Sequence, residues 1–404
     1  MAAGHGNPTK SFFLRKEPRQ PDFGFTTGTC AAAASAAAAR MLLTRRIVPY
    51  VILTTPKGIK ICVEIENQRI EENRASCSAR KFSGDDPDVT DGIRIFSTVT
   101  ENAAGGGGGA RVTVDGGEGV GRVTLPGLDQ KVGEAAINRV PREMIAACVT
   151  REIEAAGADL SLSVVISAPG GAEIAGRTFN PRLGIIGGIS ILGTSGIVEP
   201  MSEQAVLDTI QTEMNVRRAQ GFSVLPLVPG NYGSEFLERE FGLSLDAAVH
   251  CSNFVFDSVR MAARTGFRKL LFCGHIGKLV KVAGGVRDTH SKHGDRRMEI
   301  LCGIARNYIN DFDLIEPEIL SCVSTGRAVE ILDSIDAGDC AGTQENHHGA
   351  RPRIMREIAE RVRRQMSEWS LGEVETEVVI FTNEHGVLAQ TPGVRNFISL
   401  ISAH

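Results

Sequence analysis

The sequence predicts an α+β domain followed by an α/β domain of the Rossmann-like, doubly wound class. Three observations carry this. The first half mixes short β-rich runs with helices and shows no strict alternation. The second half alternates apolar strands with helices through glycine-rich joins. Between them Pro169-Gly170-Gly171 marks a break. The expected domains are residues 22–175 (α+β) and 176–345 (α/β), with a polar tail at 1–21 and a helix and strand at 346–404.

Residues 1–21 hold Pro, Lys and Arg but no apolar core segment, so they read as a disordered tail rather than a signal peptide. Next come Phe25-Thr26-Thr27-Gly28-Thr29-Cys30 and an alanine-rich block from Ala31 to Ala39. Alanine is the strongest helix former. Thr29 is the expected N-cap, leaving first-turn N–H groups and a local positive dipole for an anion. The same residues also fit a capped core helix of small side chains.

Val48–Thr54 and Ile59–Ile65 flank Pro56-Lys57-Gly58 and read as a hairpin. Gly84 to Gly92 is an acidic loop with Asp85, Asp86, Asp88 and Asp91, open to either a Ca²⁺ or Mg²⁺ site or simple Asp turns. Ile93–Val99 and Arg111–Val114 read as strands around Gly105 to Gly109, the expected flexible hairpin tip. Pro141–Ala155 is a helix with Pro at its first position, and Leu162–Ile166 a strand.

In the second half, Leu183–Ile189 reads as a buried strand and Ser202–Ala219 as a helix with acids early and Arg217-Arg218 late. Ser223–Val228 reads as a strand despite Pro226. Phe254–Arg264 is helical, Lys269–Cys273 a strand, and 296–370 helix-rich. Val378–Thr382 is a late strand whose return to the first domain stays open.

Composition narrows the function classes. The 404 residues carry a net charge of −4, which gives no basic nucleic-acid footprint. Nine scattered cysteines without a CxxC pair argue against a disulfide framework or a zinc site, and the expected setting is the reducing cytoplasm. The alanine block is too short and weakly apolar for a membrane span.

Four strand-end segments carry the candidate chemistry. Gly184 to Ser202 is glycine-dense and contains Gly187, Gly188, Thr194, Ser195, Gly196 and Glu199, but it is not GxGxxG. Asn231-Tyr232-Gly233 and Cys251-Ser252-Asn253 follow predicted strands. Gly274-His275-Ile276-Gly277-Lys278 opens a helix, where N–H groups with Lys278 and Lys281 suit a carboxylate or phosphate. His275 and His290 are the candidates for moving a proton, and His290 lies beside Lys292, His293 and Asp295. His347-His348 reads as solvated, and no metal site is expected.

Taken in order, Gly24–Ala39, Gly84–Thr90, Gly116–Gly121, Pro141-Arg142, Thr178–Arg182, Gly184–Ser202, Pro229–Gly233, Cys251–Asn253, Gly274–Lys281 and Thr289–Lys292 resemble the cobalt-precorrin-5B C1-methyltransferase family (CbiD type). Arg139, His250, Asp91 and Asp288 depart from the pattern. The resemblance implies a CbiD-like two-domain architecture. It also implies methyl transfer from S-adenosylmethionine to C1 of cobalt-precorrin-5B, in anaerobic cobalamin biosynthesis. Cobalt would be present only within the substrate macrocycle.

On that reading Arg182, Lys278, Lys281 and Lys292, with the N–H groups of Thr26, Thr27, Gly28 and Thr29, hold the substrate carboxylates. Gly187, Gly188, Thr194, Ser195, Gly196, Glu199, Asn231, Tyr232 and Gly233 hold S-adenosylmethionine, or the two sets serve the two ligands the other way round. His275 or His290 as an axial cobalt ligand is a further use of the same side chains. No nucleic acid or membrane partner is expected, and a homo-oligomer is left open. The alternatives are a nucleotide-dependent enzyme using the glycine loops, which lacks GxxxxGK[ST], and a non-catalytic corrinoid carrier.

Overall fold

The computed structural model describes residues 22–102, 111–335 and 349–404, apart from the side chain of His293. The polar tail at 1–21, the glycine run at 105–109 and His347-His348 lie outside the described residues. The chain packs as two units. One holds residues up to Val120 with Ile137–Ile174 and Ser190–Met201; the other holds Gly121–Ala136, Ala175–Ile189 and Ser202–His404. The chain therefore passes between units more often than a single cut near residue 175 allows.

The first unit is built on α1 (Thr27–Thr44). Its N-cap is Thr26, whose side chain accepts from Thr29 N, so the helix starts earlier than a Thr29 cap would place it. Cys30 to Ala34 and Ala36 to Ala39 are buried, almost all of them fully. A helix buried all round needs small side chains, because neighbouring backbone must approach closely. Against it pack the strands β1 (Tyr50–Thr54), β3 (Glu66–Ile70), β4 (Arg74–Arg80) and β5 (Arg94–Glu101), while β2 (Lys60–Glu64) pairs with β1. The two first strands form the expected antiparallel hairpin, Tyr50 opposite Glu64 and Thr54 opposite Lys60.

Next come β6 (Val112–Gly116), α2 (Arg139–Ala155) and β7 (Leu162–Ser167). The larger sheet has the order β3-β4-β5-β7-β6. Strands β5 and β6 are separated by β7, so they do not form the hairpin expected around the glycine run. β6 runs parallel to β7 instead, with α2 between them in sequence. Pro141 is the third residue of α2 after the cap Asn138, still within the first turn where no N–H donor is needed.

The second unit contains α3 (Glu203–Ala219), β8 (Leu225–Val228), α4 (Asn231–Phe241), β9 (Val249–His250), α5 (Val255–Arg264), β10 (Lys269–His275) and α6 (Ile276–Ala283). It continues through α7 (Arg297–Ala305), α8 (Thr325–Asp333), α9 (Ala350–Trp369), β11 (Glu375–Thr382), β12 (Gly386–Gln390) and α10 (Val394–Ser402). Its sheet has the order β9-β8-β10-β11-β12, parallel except for the antiparallel edge strand β12. β11 lies here, so the late strand does not return to the first unit.

Successive strand residues alternate between two cores, as the twofold period of a strand requires. Leu225, Leu227, Leu270, Phe272, Val378 and Ile380 face α3, α5, α6, α7, α8 and α9. Val228, Leu271, Cys273, Val379 and Phe381 face α4 and α10, where the Phe236 and Phe381 rings stack at 4.0 Å. Pro226 is accommodated because pairing with β9 begins only at Leu227.

Leu183–Ile189 is not a buried strand. Pro181–Leu183 forms a 3₁₀ turn, Gly184 takes φ 68°, and only Ile185-Ile186 pairs, with Val123 and Arg122. Ile186 points outward at 62% exposure. The apolar run is broken by the left-handed residue, which no strand interior tolerates.

Gly28→Ala tests the close packing of α1. Alanine would gain about 1 kcal/mol of helix propensity. Its Cβ would stand 2.6 Å from Pro141 Cγ and 3.1 Å from Leu192 O. Such overpacking costs about 1–3 kcal/mol, so the expected net effect is a lower thermal melting temperature. An unchanged or raised value would show that α2 shifts freely.

Candidate functional site

In the first unit the two glycine- and hydroxyl-rich motifs bind each other. Thr26 N donates to Gly196 O at 3.3 Å and Gly28 N to Leu192 O at 3.0 Å. Thr29 Oγ1 donates to Gly196 O at 2.7 Å, and Leu192 N donates to Thr27 Oγ1 at 2.9 Å. Gly193 sits at φ 130°, where a Cβ would stand 2.3 Å from Thr26 Oγ1. The N–H groups of Gly28 and Thr29, expected to face an anion, thus face Leu192 O and Thr26 Oγ1. The start of α1 is closed as well as capped: Thr26, Thr27 and Thr29 are all buried.

The expected cofactor segment divides in the same way. Gly187 and Gly188 lie in the second unit, while Thr194, Ser195, Gly196 and Glu199 lie in the first. Ser195 Oγ accepts from Ile197 N at 3.2 Å and donates to Ile197 O at 2.8 Å, a local turn. Glu199 pairs with Lys57, and buried Gly196 serves the motif contact above. Thr194 and Gly187 are exposed.

The acidic loop is explained by turns. Asp85 accepts from Asp22 N, Asp86 from Met201 N and Asp91 from Ser83 N. Asp88 pairs with the buried Lys81 at 2.6 Å and accepts from Thr90. Among the described residues no group of three or more His, Cys, Asp or Glu side chains is placed to hold a metal ion. The described cysteines are all unpaired. No described helix is long and apolar enough to cross a membrane.

In the second unit, three of the four sequence candidates meet at the carboxyl ends of β8, β9 and β10. Lys278, on the first turns of α6, donates from Nζ to Pro229 O at 2.6 Å and to Ser252 O at 3.3 Å. One ammonium therefore ties the loops after β8 and β9 to the helix after β10. Burial lowers the Lys278 pKa from its ordinary value. Ser252 holds φ 52°, a left-handed conformation that a non-glycine residue keeps only when its surroundings impose it. Lys281 is buried and donates to Thr289 O at 3.2 Å.

Behind this edge lies a second network. Arg182 reaches His250 Nδ1 at 2.5 Å and Ala248 O at 2.7 Å, and lies 3.5 Å from the buried Glu213. A guanidinium can only donate, so Nδ1 accepts and the ring proton sits on Nε2. His250 Nε2 faces Ser234 Oγ at 3.1 Å, and that hydroxyl donates to Asn231 O at 2.9 Å. Arg182 is therefore turned inward rather than toward a substrate carboxylate. The sequence marked His250 only as a departure from the family pattern; its pairing with Arg182, 68 positions away, has no local signature. Burial, then the Arg182 charge, pushes the His250 pKa down to about 4. Burial also raises the Glu213 carboxyl above its usual range, against the pull of Arg182.

The remaining candidates stand more openly. Asn231 and Tyr232 are exposed, Tyr232 at 66%. His275 caps α6, its Nδ1 accepting from Gly277 N at 3.1 Å while the ring meets Phe381 edge-on. Burial lowers its pKa. His290 is exposed and caps a single 3₁₀ turn through Lys292 N, and Lys292 pairs with Glu203. Lys292 is thus occupied at the surface.

Two measurements check this arrangement. Lys278→Met leaves two loop carbonyls without their donor, and each such loss costs about 1–3 kcal/mol; the expected result is a lower melting temperature with faster amide exchange in both loops. His250 is neutral in the fold at about 4 and above, whereas an unfolded histidine titrates near 6.5. Its contribution is complete above pH 6.5 and is lost as pH falls toward 4. The fall in melting temperature across that window should be shallower in His250→Gln; equal slopes would remove His250 as its source.

Comparison with known proteins places most of the chain. Residues 14–200 match the family described as CbiD, and residues 288–392 match its C-terminal domain. The cobalt-precorrin-5B C(1)-methyltransferase of Ruminiclostridium cellulolyticum is 45% identical over 305 residues, 74% of this chain and 78% of that protein. The protein of the same name from Citrobacter koseri is 40% identical over 312 residues, 77% of this chain and 80% of that one. A 1.9 Å crystal structure of the cobalamin biosynthesis protein (cbiD) from Archaeoglobus fulgidus aligns at 28% identity, covering 69% of this chain and 84% of that one, with a TM-score of 0.37. With both family regions present in order, and relatives at this identity over about three quarters of its length, the chain belongs to the CbiD family.

Proposed function

We propose that this protein transfers the methyl group of S-adenosylmethionine to ring carbon C1 of cobalt-precorrin-5B. The products are cobalt-precorrin-6A and S-adenosylhomocysteine. The observation that carries the reading is the long alignment with relatives named for this reaction. Cobalt enters as part of the substrate.

We read the second unit as a Rossmann-like, doubly wound domain with one antiparallel edge. Numbered within the sheet, its strand order is 2-1-3-4-5, with the switch between β8 and β10. Ligands of such sheets bind in the crevice beyond the strand ends at the switch. Asn231, Tyr232 and Gly233 lie there, and they are the proposed contacts for S-adenosylmethionine. The local geometry suits it. α4 starts without a side-chain cap; Gly233 N donates to Gly230 O, and the N–H groups of Asn231 and Tyr232 are left to other acceptors. A Cβ on Gly233 would stand 2.8 Å from Val228 Cβ and 3.0 Å from Cys273 O, so the backbone runs flush against the strand ends. The exposed Tyr232 ring offers a flat face for a purine. Gly187 and Thr194 stand as exposed proposed contacts.

The reaction forms a C–C bond at C1 as the S–CH₃ bond breaks, and the electron pair leaves on a neutral thioether. The protein's task is alignment and exclusion of water, and alignment alone supplies about 7–11 kcal/mol in favourable cases. Lys278 contributes by fixing the two loops. Burial lowers the His275 pKa, and because Nδ1 accepts from Gly277 N the ring proton sits on Nε2, the proposed donor of any proton that must move. His290 is a second such position at the surface.

The direct test is anaerobic incubation with cobalt-precorrin-5B and methyl-labelled S-adenosylmethionine, followed by mass analysis of the corrinoid. One labelled methyl at C1 is expected. No transfer, with folded protein and intact substrate, would favour a non-catalytic tetrapyrrole carrier.

A further inference from the structure

We infer that His250 and Ser234 are positioning residues for the co-substrate: a one-way chain of hydrogen bonds from Arg182 runs through both side chains and sets the first turn of α4. The inference rests on the proposed reading of that turn, with Asn231 and Tyr232, as the contact for S-adenosylmethionine. Ser234 lies just outside the motif block that ends at Gly233.

His250 ends β9 opposite Val228, the last residue of β8, and is held at three atoms. Its backbone N donates to Glu213 Oε2 at 3.3 Å, Nδ1 lies 2.5 Å from Arg182 Nη1, and Nε2 lies 3.1 Å from Ser234 Oγ. A guanidinium only donates, and that fixes the direction of every later bond. Nδ1 accepts, so Nε2 carries the ring proton and gives it to Ser234 Oγ. The hydroxyl then has one proton to give, and it goes to Asn231 O at 2.9 Å.

A serine hydroxyl bonded to a carbonyl three residues back is common in helices and by itself marks nothing. Here the hydroxyl is 4% exposed, and its acceptor side is filled by an imidazole from another element. Back-bonding of this kind often bends a helix, so a hydroxyl locked in one orientation fixes the turn it bonds.

Glu213 supplies the independent observation. It is 2% exposed, and its Oε1 makes no hydrogen bond among the described residues. Arg182 Nη1 stands 3.5 Å from that oxygen, farther than from His250 Nδ1. A forked arginine–carboxylate pair is the stronger use of both groups. The fork is directed instead at His250 Nδ1 and Ala248 O, leaving a buried carboxylate oxygen incomplete. A departure from the best local pairing is expected at functional positions. Arg217 and Asp246 complete the charged groups acting on Glu213. Burial and Arg182 hold the ring neutral near pH 7, so Nδ1 stays an acceptor.

Ser234→Ala breaks the chain without altering Asn231 or Tyr232. In the full chain the expected results are faster amide exchange in the first turns of α4 without ligand and about fivefold weaker binding of S-adenosylhomocysteine by calorimetry. The KM for S-adenosylmethionine should rise by the same factor with kcat unchanged. His250→Phe should give a similar loss of affinity, and the double variant no more than the larger single loss, because both act on one chain. A purely structural role would lower the melting temperature and leave the affinity of the folded protein unchanged. That result overturns the inference, as do unchanged exchange in Ser234→Ala or additive losses in the double variant. If His250→Phe does not fold, Ser234→Ala decides alone. Tyr232→Ala checks the underlying reading separately. A wild-type protein that binds no S-adenosylhomocysteine, or binding that ignores Tyr232→Ala, counts against that reading and removes the co-substrate role, while the exchange measurement still decides whether the chain sets the turn.

Discussion

One ammonium group organises the carboxyl edge of the second unit. Lys278 Nζ joins Pro229 O and Ser252 O, so the loops after β8 and β9 are held to the helix after β10. A carbonyl lone pair in a half-buried loop needs a donor, and a lysine with three N–H bonds can serve two at once. Without that tie, the Asn231–Tyr232 loop and the left-handed Ser252 turn would have no common reference. Placement of any ligand on this edge depends on it.

The same principle governs the other cationic side chains near the motifs. Arg182 and Lys281 each hold protein groups inside the fold, while Lys292 pairs with Glu203 at the surface. Buried charges are kept only when paired or hydrogen-bonded, and that requirement draws cations toward neighbouring carbonyls and carboxylates. Lys81 with Asp88 obeys the same rule in the first unit. Backbone donors follow the same rule, Gly277 N donating to His275 Nδ1 and Gly233 N to Gly230 O.

Errors in the sequence reading have physical causes of one kind. Leu183–Ile189 looked like a strand because apolar runs suit buried strands, but Gly184 adopts a left-handed turn that composition alone does not reveal. The strands on either side of the glycine run looked like a hairpin because adjacent strands usually pair. Here β7 inserts between them, pairing antiparallel with β5 and parallel with β6. The cap of α1 is Thr26 rather than Thr29, since Thr29 Oγ1 is drawn to Gly196 O.

Local chemistry alone determined a good deal of this protein. The alanine helix, the β1–β2 hairpin, the Ser202 cap of α3 and the alternating second half follow from propensity, turn residues and period, each acting over a few positions. The motif blocks also marked the family before any coordinates. Tertiary structure decided which motifs touch. It locked Thr26–Thr29 onto Leu192–Gly196 and paired Arg182 with His250. Those partners lie tens to more than a hundred residues apart, and only packing of the whole chain selects among the many donors and acceptors each could have met.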